Sequence, residues 1–535
     1  MPEIKINGST YNFKEGENLV EAAAGNGITI PTMCYLKEIG ALTTCFICVV
    51  EVEGKPALVP ACAAKAEAGM SIHTETARVR QARKRALELL LSDHTGDCLG
   101  PCQSGCPAHI DIPKFITELK RGDNRAALRT IKQKVALPAV LGRICPEVCE
   151  KVCRRKDGDA PVAIWHLKRY AADFDLYSGK PFSPEAAKAT GKKAAIIGAG
   201  PAGLTAAYYL RAYGHEVVVY DKNEKAGGTL RYAISKDRLP DEILNKEIAV
   251  IAGLGVKFEQ KKVLHRDIFL KDLLREFNAV FLAAGSNPED LVGLEKEGVR
   301  TGPNGVVFEK ETYAAGIKGV FAGPKTTLAV RASEVGRRAA GSINRYLNGL
   351  EPGIEKKPFS ARMGKLSEKE QELFLKGAPE LGRFLNSMVD MKIITENPGE
   401  ERLPFTAGEV IEEALRCLGC ECRKAAACLL MKYAIEYNAE PDALKGEKRG
   451  FSRDIKKTGV VYESGKCIMC GICVKICEKH GEFDSMAYIG RGFKTKIGLP
   501  FNRKFNKLQE KVSEECARAC PTGAIYLEKE IRNQG

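Results

Sequence analysis

The chain has 535 residues, more than one hydrophobic core holds, so its length predicts several domains. A hydrophobic share of 44% and a charged share of 28% fit an ordinary soluble protein, and the longest uncharged run, 194–210, is too short and too glycine-rich for a membrane helix. The formal net charge of +14 would suggest a nucleic-acid partner, but the chain has 20 cysteines, whose negative charge as metal-bound thiolates would offset much of this excess. We therefore expect neither a membrane span nor nucleic-acid binding.

Cysteine usage is the most informative feature of the composition. The chain has 20 cysteines, and most of them are grouped at C-x2-C or C-x3-C spacings. Such spacings suit metal sites better than disulfides, so they indicate a reducing, cytoplasmic and anaerobic setting. The first residues lack the basic and then apolar pattern of a secretory signal, which agrees with that expectation.

Residues 1–76 alternate as short strands do, and they contain the first cysteine group. Cys34, Cys45, Cys48 and Cys62 are spaced C-x10-C-x2-C-x13-C, and four converging thiolates are what a [2Fe–2S] centre requires. A zinc site and four unrelated buried cysteines are the alternatives. The stretches 31–35 and 45–54 resemble the N-terminal ferredoxin domain shared by the large iron–sulfur subunit of NADH dehydrogenases and by iron-only hydrogenases. This resemblance implies a [2Fe–2S] domain.

From residue 77 to about residue 190 the pattern becomes helical, and six cysteines interrupt it. They are too few to ligate two [4Fe–4S] clusters completely. The second half of this region resembles the small subunit of glutamate synthase, in which two such halves interleave. The resemblance implies one cluster at Cys98, Cys102 and Cys153, and another at Cys106, Cys145 and Cys149.

His94 is a candidate fourth ligand for the cluster at Cys98. The stretch 91–94 before Cys98 resembles the histidine-ligated site of the NADH dehydrogenase and hydrogenase families. An ordinary loop histidine is an equally open interpretation.

A dinucleotide-binding fingerprint opens the next region, residues 191–350. A buried strand leads into a glycine turn and a helix, and a second strand ends at an acid. In the turn, Gly198 permits the sharp bend, Gly200 lets the backbone approach a pyrophosphate, and Gly203 allows the helix to pack closely on the strand. The acid, Asp221, is placed to accept a hydrogen bond from an adenosine ribose. A Rossmann fold that binds no dinucleotide is the alternative. The candidate cofactor-binding residues of the turn and the acid are Gly198, Gly200, Pro201, Ala202, Gly203 and Asp221.

Later residues of this region indicate which dinucleotide binds. The stretches 226–240 and 279–285 resemble the flavin domain of the glutamate synthase small subunit, which implies FAD. Relatives insert a second Rossmann domain for NADPH after the second stretch, yet only about 34 residues separate Gly285 from Gly319 here, without another glycine fingerprint. We therefore expect no NAD(P) on this chain. A second departure is Pro324, where relatives carry an aspartate that contacts the flavin. The further residues that the resemblance implicates in FAD binding are Gly227, Gly228, Arg231, Arg238, Gly285 and Gly323.

The last part of the chain carries two more cysteine groups. Residues 351–410 are rich in proline and are predicted to form a connecting segment with short helices. Within 411–450, the mixed spacing of four cysteines favours a [4Fe–4S] cluster over zinc. Their positions are Cys417, Cys420, Cys422 and Cys428.

Residues 451–535 contain a complete ferredoxin run, C-x2-C-x2-C-x3-C, and a partial second one. The fourth cysteine of each run ligates the cluster of the other run. One [4Fe–4S] site is therefore predicted at Cys467, Cys470, Cys473 and Cys520. Cys477 and Cys516 are left as the remnant of a second, lost site.

The sequence thus predicts a multidomain α/β and α+β protein. Its parts are a β-grasp [2Fe–2S] ferredoxin domain (1–76), a helical [4Fe–4S] domain (77–190), a Rossmann-like FAD domain (191–350), a connecting segment (351–410), a [4Fe–4S] segment (411–450) and a C-terminal ferredoxin-like [4Fe–4S] domain (451–535). The expected cofactors are one [2Fe–2S] cluster, about four [4Fe–4S] clusters and FAD. No nucleophile and base suggest a catalytic site, so no catalytic residue is assigned.

Together the regions resemble mosaics found in electron-bifurcating oxidoreductase complexes of anaerobes. The resemblance implies an electron-transfer subunit of a hetero-oligomer. It would connect NADH dehydrogenase-like FMN and iron–sulfur subunits to a catalytic hydrogenase, formate dehydrogenase or aldehyde oxidoreductase, with ferredoxin as a further candidate partner. A self-contained NAD(P)H-dependent reductase of the glutamate synthase type and a scaffold with structural clusters are the two alternatives.

Overall fold

A computed structural model describes residues 1–285, 293–303, 305–376, 379, 381–383, 405–455, 459–481, 486–502 and 510–528. The chain divides into two compact units. The first unit comprises residues 1–100, 359–376 and 420–535, and the second comprises residues 101–358 and 377–419. Much of the predicted connecting segment, including 384–404, lies outside the described residues.

The helices include one run of seven that follow one another without an intervening strand, between residues 77 and 176. They are α1 (Leu19–Gly25), α2 (Ala77–Ser92), α3 (Pro101–Gly105), α4 (Ile112–Lys120), α5 (Asn124–Lys132), α6 (Pro138–Ile144), α7 (Val148–Lys151), α8 (Ile164–Leu176), α9 (Pro201–Ala212), α10 (Thr229–Tyr232), α11 (Asp241–Gly253), α12 (Leu270–Glu276), α13 (Ala329–Leu347), α14 (Glu368–Leu375), α15 (Ala407–Leu415), α16 (Leu429–Glu436), α17 (Ile472–Lys479) and α18 (Glu510–Ala519).

The strands are short, and several have only two or three residues. They are β1 (Glu3–Ile6), β2 (Ser9–Asn12), β3 (Tyr35–Leu36), β4 (Gly40–Ala41), β5 (Val49–Val52), β6 (Val59–Pro60), β7 (Ser71–His73), β8 (Lys193–Ile197), β9 (Glu216–Asp221), β10 (Lys257–Gln260), β11 (Ala279–Leu282), β12 (Thr301–Gly302), β13 (Gly305–Val306), β14 (Val320–Ala322), β15 (Arg453–Ile455), β16 (Val460–Glu463), β17 (Ala487–Ile489), β18 (Lys496–Gly498) and β19 (Ile525–Leu527).

The N-terminal part of the first unit is a five-stranded sheet in the order β2-β1-β7-β5-β6. Strand β1 pairs parallel with β7 and antiparallel with β2. Ile4 and Ile6 alternate with exposed residues along β1 and are buried, so one face of the strand enters the core. Helix α1 begins after Asn18, whose side chain accepts hydrogen bonds from the N–H groups of Val20 and Glu21. This cap fixes where the helix starts on the sheet.

A second core of the first unit gathers cysteines from distant parts of the sequence. The antiparallel sheet β15-β16-β19 contributes the apolar side chains of Val460 and Ile525 to this core, and helix α17 contributes Ile476. The buried cysteines in the same core are Cys34, Cys45, Cys98, Cys428, Cys467, Cys470, Cys473, Cys477 and Cys516. Thiols from four regions of the chain therefore share one apolar interior.

The second unit contains a five-stranded parallel sheet in the order β10-β9-β8-β11-β14. This order places β8 at the centre, with the glycine turn at its carboxyl end, where ligands of open α/β sheets bind. Helices α9 and α13 pack against each other in this unit. A Cβ atom on Gly336 of α13 would lie 2.0 Å from the carbonyl oxygen of Ala202 in α9, so only glycine permits this approach.

Helices α4 to α8 and α15 form the helical part of the second unit. Ion pairs hold it together. Arg143 and Asp173 form a buried pair through two hydrogen bonds, and the fully buried Arg416 pairs with the buried Glu413 and with the partly exposed Asp159. Across the residues described, none of the helices combines the length and the apolar character that a membrane crossing requires.

Candidate redox site

The first cysteine group lies on the segments around strands β3 to β6. All four thiols are buried, and the Sγ atoms of Cys48 and Cys62 are 3.4 Å apart. Phe46, with a left-handed φ of 52°, turns the chain between Cys45 and Cys48. Hydrogen bonds among the four thiols lower the pKa of Cys34 and lower that of Cys48 to about 7, and the same bonds raise the pKa of Cys45 and Cys62. Four buried thiols linked in this way fit an iron centre, which binds them as thiolates.

The four cysteines predicted from the C-terminal ferredoxin run surround one cavity with apolar walls. Its lining includes Cys467, Cys470, Cys473 and Cys520. Met469 has a left-handed φ of 56°, and its N–H donates a hydrogen bond to Cys467 Sγ over 3.3 Å. Burial raises the pKa of Cys467 to about 11, and it also raises the pKa of Cys470 and Cys473. Cations such as iron are therefore needed to hold these sulfurs as thiolates, and the cavity fits a [4Fe–4S] cluster.

Cys477 and Cys516, the two cysteines left over from the ferredoxin runs, lie together. Each is 1% exposed, and a hydrogen bond with Cys477 raises the pKa of Cys516. The Cys516 thiol also donates to the carbonyl oxygen of Cys473 over 3.7 Å. These thiols therefore fill the core beside a predicted ligand, and their origin as a lost site stays a prediction.

The second unit holds a cavity lined by three of the middle cysteines, Cys106, Cys145 and Cys149. Glu147, with a left-handed φ of 54°, turns the chain between Cys145 and Cys149. Burial raises the pKa of Cys106 and Cys149, and the positive charge of Lys168, which lines the same cavity, opposes this effect. The structure thus brings together the three cysteines that the resemblance grouped.

The remaining predicted groups divide between the two units. Cys98 belongs to the first unit, whereas Cys102 and Cys153 belong to the second. Likewise, Cys417 belongs to the second unit, whereas Cys420, Cys422 and Cys428 belong to the first. The spacing in the sequence gives no sign of either division, because it reports neighbours along the chain only.

His94 lies in the first unit and is 5% exposed. Burial, followed by the positive charges of Lys466, Arg449 and Lys448, lowers its pKa to about 3. The imidazole is therefore neutral near pH 7, which is the form that can bind a metal. Among the described residues, its Nδ1 atom has no hydrogen-bond partner.

No three His, Cys, Asp or Glu side chains in the described part of the chain are arranged around a single metal ion.

The dinucleotide fingerprint lines a cavity of about 560 Å³ in the second unit. Gly198 has a φ of 109°, and a Cβ atom there would lie 2.4 Å from the carbonyl oxygen of Ala283. A Cβ atom on Gly203 would lie 1.9 Å from the carbonyl oxygen of Gly198, so helix α9 packs on the turn as predicted. Asp221 accepts a hydrogen bond from the N–H of Ala199 over 2.6 Å, which holds its carboxylate beside the turn. The predicted residues that line this cavity are Gly198, Gly200, Pro201, Ala202, Asp221, Gly228, Gly285 and Gly323.

Two arginines predicted to bind the cofactor are engaged elsewhere. Arg231 donates to the carbonyl oxygen of Ala226 over 2.7 Å and pairs with Asp241 over 3.0 Å. Arg238 approaches the carbonyl oxygen of Ile144 at 3.5 Å.

Another predicted cofactor residue, Gly227, serves packing within the same segment, because a Cβ atom there would lie 2.9 Å from Leu244. Sequence reasoning missed three polar side chains that line the dinucleotide cavity, Lys222, Asn223 and Lys262. Lys222 and Asn223 follow Asp221 directly in the sequence, and this position next to the predicted ribose-binding acid could have identified them.

Four domain-family models match separate parts of the chain. Residues 2–77 match the model of a 2Fe-2S iron-sulfur cluster binding domain, and residues 79–180 match the model of the 4Fe-4S cluster domain II of dihydropyrimidine dehydrogenase. Residues 196–256 match an NAD(P)-binding Rossmann-like domain, and residues 460–527 match a 4Fe-4S single cluster domain.

Similar proteins are subunits of oxidoreductases. The NADP(+)-dependent formate dehydrogenase subunit beta of Moorella thermoacetica is 39% identical over 37% of this chain and 31% of its own length. The NADPH-Fe(3+) oxidoreductase subunit beta of Geobacter sulfurreducens is 38% identical over 40% of this chain and 32% of its own length. The glutamate synthase [NADPH] small chain of Escherichia coli is 35% identical over 38% of this chain and 44% of its own length. The chain thus spans about a third of the length of the first two relatives.

A solved structure of the NAD+-reducing [NiFe]-hydrogenase in the H2-reduced state shares 27% identity with this chain. The match covers 20% of this chain and 45% of the other, with a TM-score of 0.18.

The domain models and the described fold together confirm the predicted fold class. The chain is a mosaic of a [2Fe–2S] domain, a helical [4Fe–4S] domain, a Rossmann-like dinucleotide domain and a C-terminal [4Fe–4S] domain.

Proposed function

We propose that this chain is an electron-transfer subunit of an oxidoreductase complex, with FAD in the dinucleotide cavity and iron–sulfur clusters in the cysteine groups. The observation that carries the proposal is that helix α13 contacts both kinds of site in the second unit. Val330 lines the three-cysteine cavity, and Ala332 and Val335 line the dinucleotide cavity. A dinucleotide and a cluster in these cavities would lie against the same end of one helix.

One-electron chemistry favours FAD over NAD(P) in this cavity. A nicotinamide exchanges a hydride, whereas a bound flavin accepts two electrons and releases them singly to clusters. Asp221, Gly323 and Ala332 all line this cavity, so they would contact the bound cofactor. Lys222 and Lys262 add positive charge to the lining, which suits an anionic pyrophosphate.

The first unit supports a route for electrons between its own cysteine groups. Thr44, next to Cys45, donates its hydroxyl to the carbonyl oxygen of Cys470 over 3.2 Å. Elsewhere in this unit, the N–H of Leu429, next to Cys428, donates to the carbonyl oxygen of Pro521 over 2.9 Å. Such bonds fix the loops of neighbouring cysteine groups against each other, so clusters held there would keep constant separations.

The relatives support a place in a larger complex. Two of them are named as beta subunits and one as a small chain. We infer a hetero-oligomer in which NADH dehydrogenase-like FMN and iron–sulfur subunits exchange electrons, through this chain, with a catalytic subunit such as a formate dehydrogenase or a hydrogenase. Electron bifurcation would take place in that complex.

Anaerobic isolation of the complex from its host tests this proposal. We expect NADH dehydrogenase-like subunits and one catalytic oxidoreductase subunit to co-purify with the chain. Isolation of the chain alone, or with a glutamate synthase large subunit, would contradict the proposal.

A self-contained NAD(P)H-dependent reductase is the second candidate, because an NAD(P)-binding family model matches residues 196–256. The two candidates differ in how the purified chain responds to nicotinamides. For the electron-transfer subunit, we expect dithionite to bleach the visible absorption of the isolated chain and NADPH or NADH to leave it unchanged. Bleaching by NADPH alone would instead establish the second candidate.

A further inference from the structure

Cys98 and Cys422 lie together in the first unit, although 323 residues separate them in the sequence. The N–H of Cys422 donates to the carbonyl oxygen of Cys98 over 3.3 Å, which ties the two loops directly. Cys428 is buried in the same core as Cys98. Within the second loop, the N–H of Ala425 donates to the carbonyl oxygen of Cys422 over 3.1 Å, and the N–H of Cys428 donates to the carbonyl oxygen of Ala425 over 3.2 Å. These turns keep Cys428 on the loop that is tied to Cys98.

Gly523 has no side chain, and this leaves room for the sulfur of Cys422. A Cβ atom on Gly523 would lie 2.3 Å from Cys422 Sγ, so the thiol lies directly against the glycine backbone. The Lys466 side chain runs past the same glycine, with its Cδ atom 3.8 Å from that Cβ position. The Lys466 ammonium pairs with the carboxylate of Glu463.

The Lys466 side chain and His94 both lie close to Gly96. A Cβ atom on Gly96 would lie 2.9 Å from Lys466 Cγ and 3.1 Å from His94 Nε2. His94 precedes Cys98 by four residues and is 5% exposed. Its Nδ1 atom has no hydrogen-bond partner among the residues that the structure describes. A buried imidazole nitrogen without a partner is unusual and suits a metal ligand.

We propose that Cys98, Cys422 and Cys428, with His94 as the fourth ligand, hold one [4Fe–4S] cluster assembled from two distant segments of the chain. This assignment replaces two earlier groupings. The resemblance to the glutamate synthase small subunit placed Cys98 with Cys102 and Cys153, and the spacing placed Cys422 and Cys428 with Cys417 and Cys420. The new assignment rests on the proposed iron–sulfur content and is independent of the partner subunits.

The assignment leaves a separate set of thiols in the second unit. Cys153 is buried in the main core of that unit, and Cys102 and Cys417 pack against the same core. The positive charge of Arg416, next to Cys417, acts on the Cys153 thiol. These three cysteines can serve a cluster of their own, which keeps the expected total at about four [4Fe–4S] clusters.

Iron counting on paired serine variants tests the assignment, because two ligands of one cluster lose the same irons. We expect Cys98→Ser, Cys422→Ser and the double variant each to lose about four irons per chain. Cys98→Ser combined with Cys102→Ser should lose about eight, because those residues serve different clusters. The reverse pattern, about eight lost from the first pair and about four from the second, would overturn the proposal.

His94 is tested by His94→Cys, with the EPR spectrum and midpoint potential of the affected cluster as readouts. A thiolate in place of a neutral imidazole adds negative charge, so the iron count should be kept while the potential falls. An unchanged potential and spectrum would show that His94 is not a ligand.

Retained flavin and an unchanged circular dichroism spectrum serve as folding controls for all of these variants. A wild-type chain without iron would overturn the proposed function itself, which is a different outcome from a changed pattern among the double variants.

Discussion

Two glycines on helix α13 offer a matched test of how the dinucleotide cavity is built. Gly336 faces α9, where a Cβ atom would lie 2.0 Å from the carbonyl oxygen of Ala202. Gly341, on the same helix, has open space at that position, with no described atom within 4 Å. Ordinary contact begins at 3.4 Å, so Gly336→Ala must separate the two helices by about 1.4 Å (3.4 − 2.0), whereas Gly341→Ala requires no movement.

The expected difference between the two variants follows from their shared helix. Both gain the better helix propensity of alanine, ~1 kcal/mol, so this gain cancels in the comparison. What remains is the overpacking at Gly336, which destabilises by ~1–3 kcal/mol. Ala202 lines the dinucleotide cavity, so the displacement should also weaken FAD binding.

Flavin content after gel filtration and the midpoint of thermal unfolding measure the two effects. We expect Gly336→Ala to lose flavin and to melt below Gly341→Ala, which should melt at or above the wild type. Equal flavin content and equal melting temperatures in the two variants would refute the packing argument.

Three further substitutions probe the second unit. Arg416→Met leaves the fully buried Glu413 carboxylate without its cation, whereas Asp159 keeps its pairing with Arg155, and stability should fall by ~3–5 kcal/mol. Thermal unfolding checks this with the half-exposed Arg78→Met as the control, and equal losses in the two variants would contradict it. Burial raises the pKa of Glu247 from 4.5 to about 7, so the folded state retains a proton that the unfolded state releases. The free energy of unfolding should therefore fall by ~3 kcal/mol as the pH rises from 4.5 to about 7. Glu247→Gln should remove that slope from the pH profile of unfolding, and an unchanged slope would refute the assignment. Lys168→Met removes a positive charge beside the three-cysteine cavity and should lower the midpoint potential of its cluster; a raised or unchanged potential in an EPR titration would count against this.

Local features of the sequence predicted local features of the fold well. The glycine turn at Gly198 and the close packing at Gly203 follow from steric limits that act within a few residues, so the fingerprint specifies them. The ferredoxin runs likewise led to Cys467 and Cys520, because the exchange of the fourth ligand is a property of the repeated run.

Long-range features could not be predicted in the same way. The hydrogen bond between Cys422 and Cys98 depends on how the chain folds back over several hundred residues, and no spacing reports that. Arg231 has the position of a cofactor ligand in the sequence, yet Asp241 competes for its guanidinium through a contact that only the folded segment creates. Ligand sets shared between distant loops are therefore the part of this site that needed the structure.

The cofactor content of the isolated chain tests the central claim most directly. Iron, flavin and the EPR spectrum are measured on the anaerobically purified chain after reduction with dithionite. The account predicts about 18 irons, from one [2Fe–2S] and four [4Fe–4S] clusters, about one FAD, and overlapping signals from several reduced clusters. A chain that binds zinc, or that carries iron but no flavin, would contradict it.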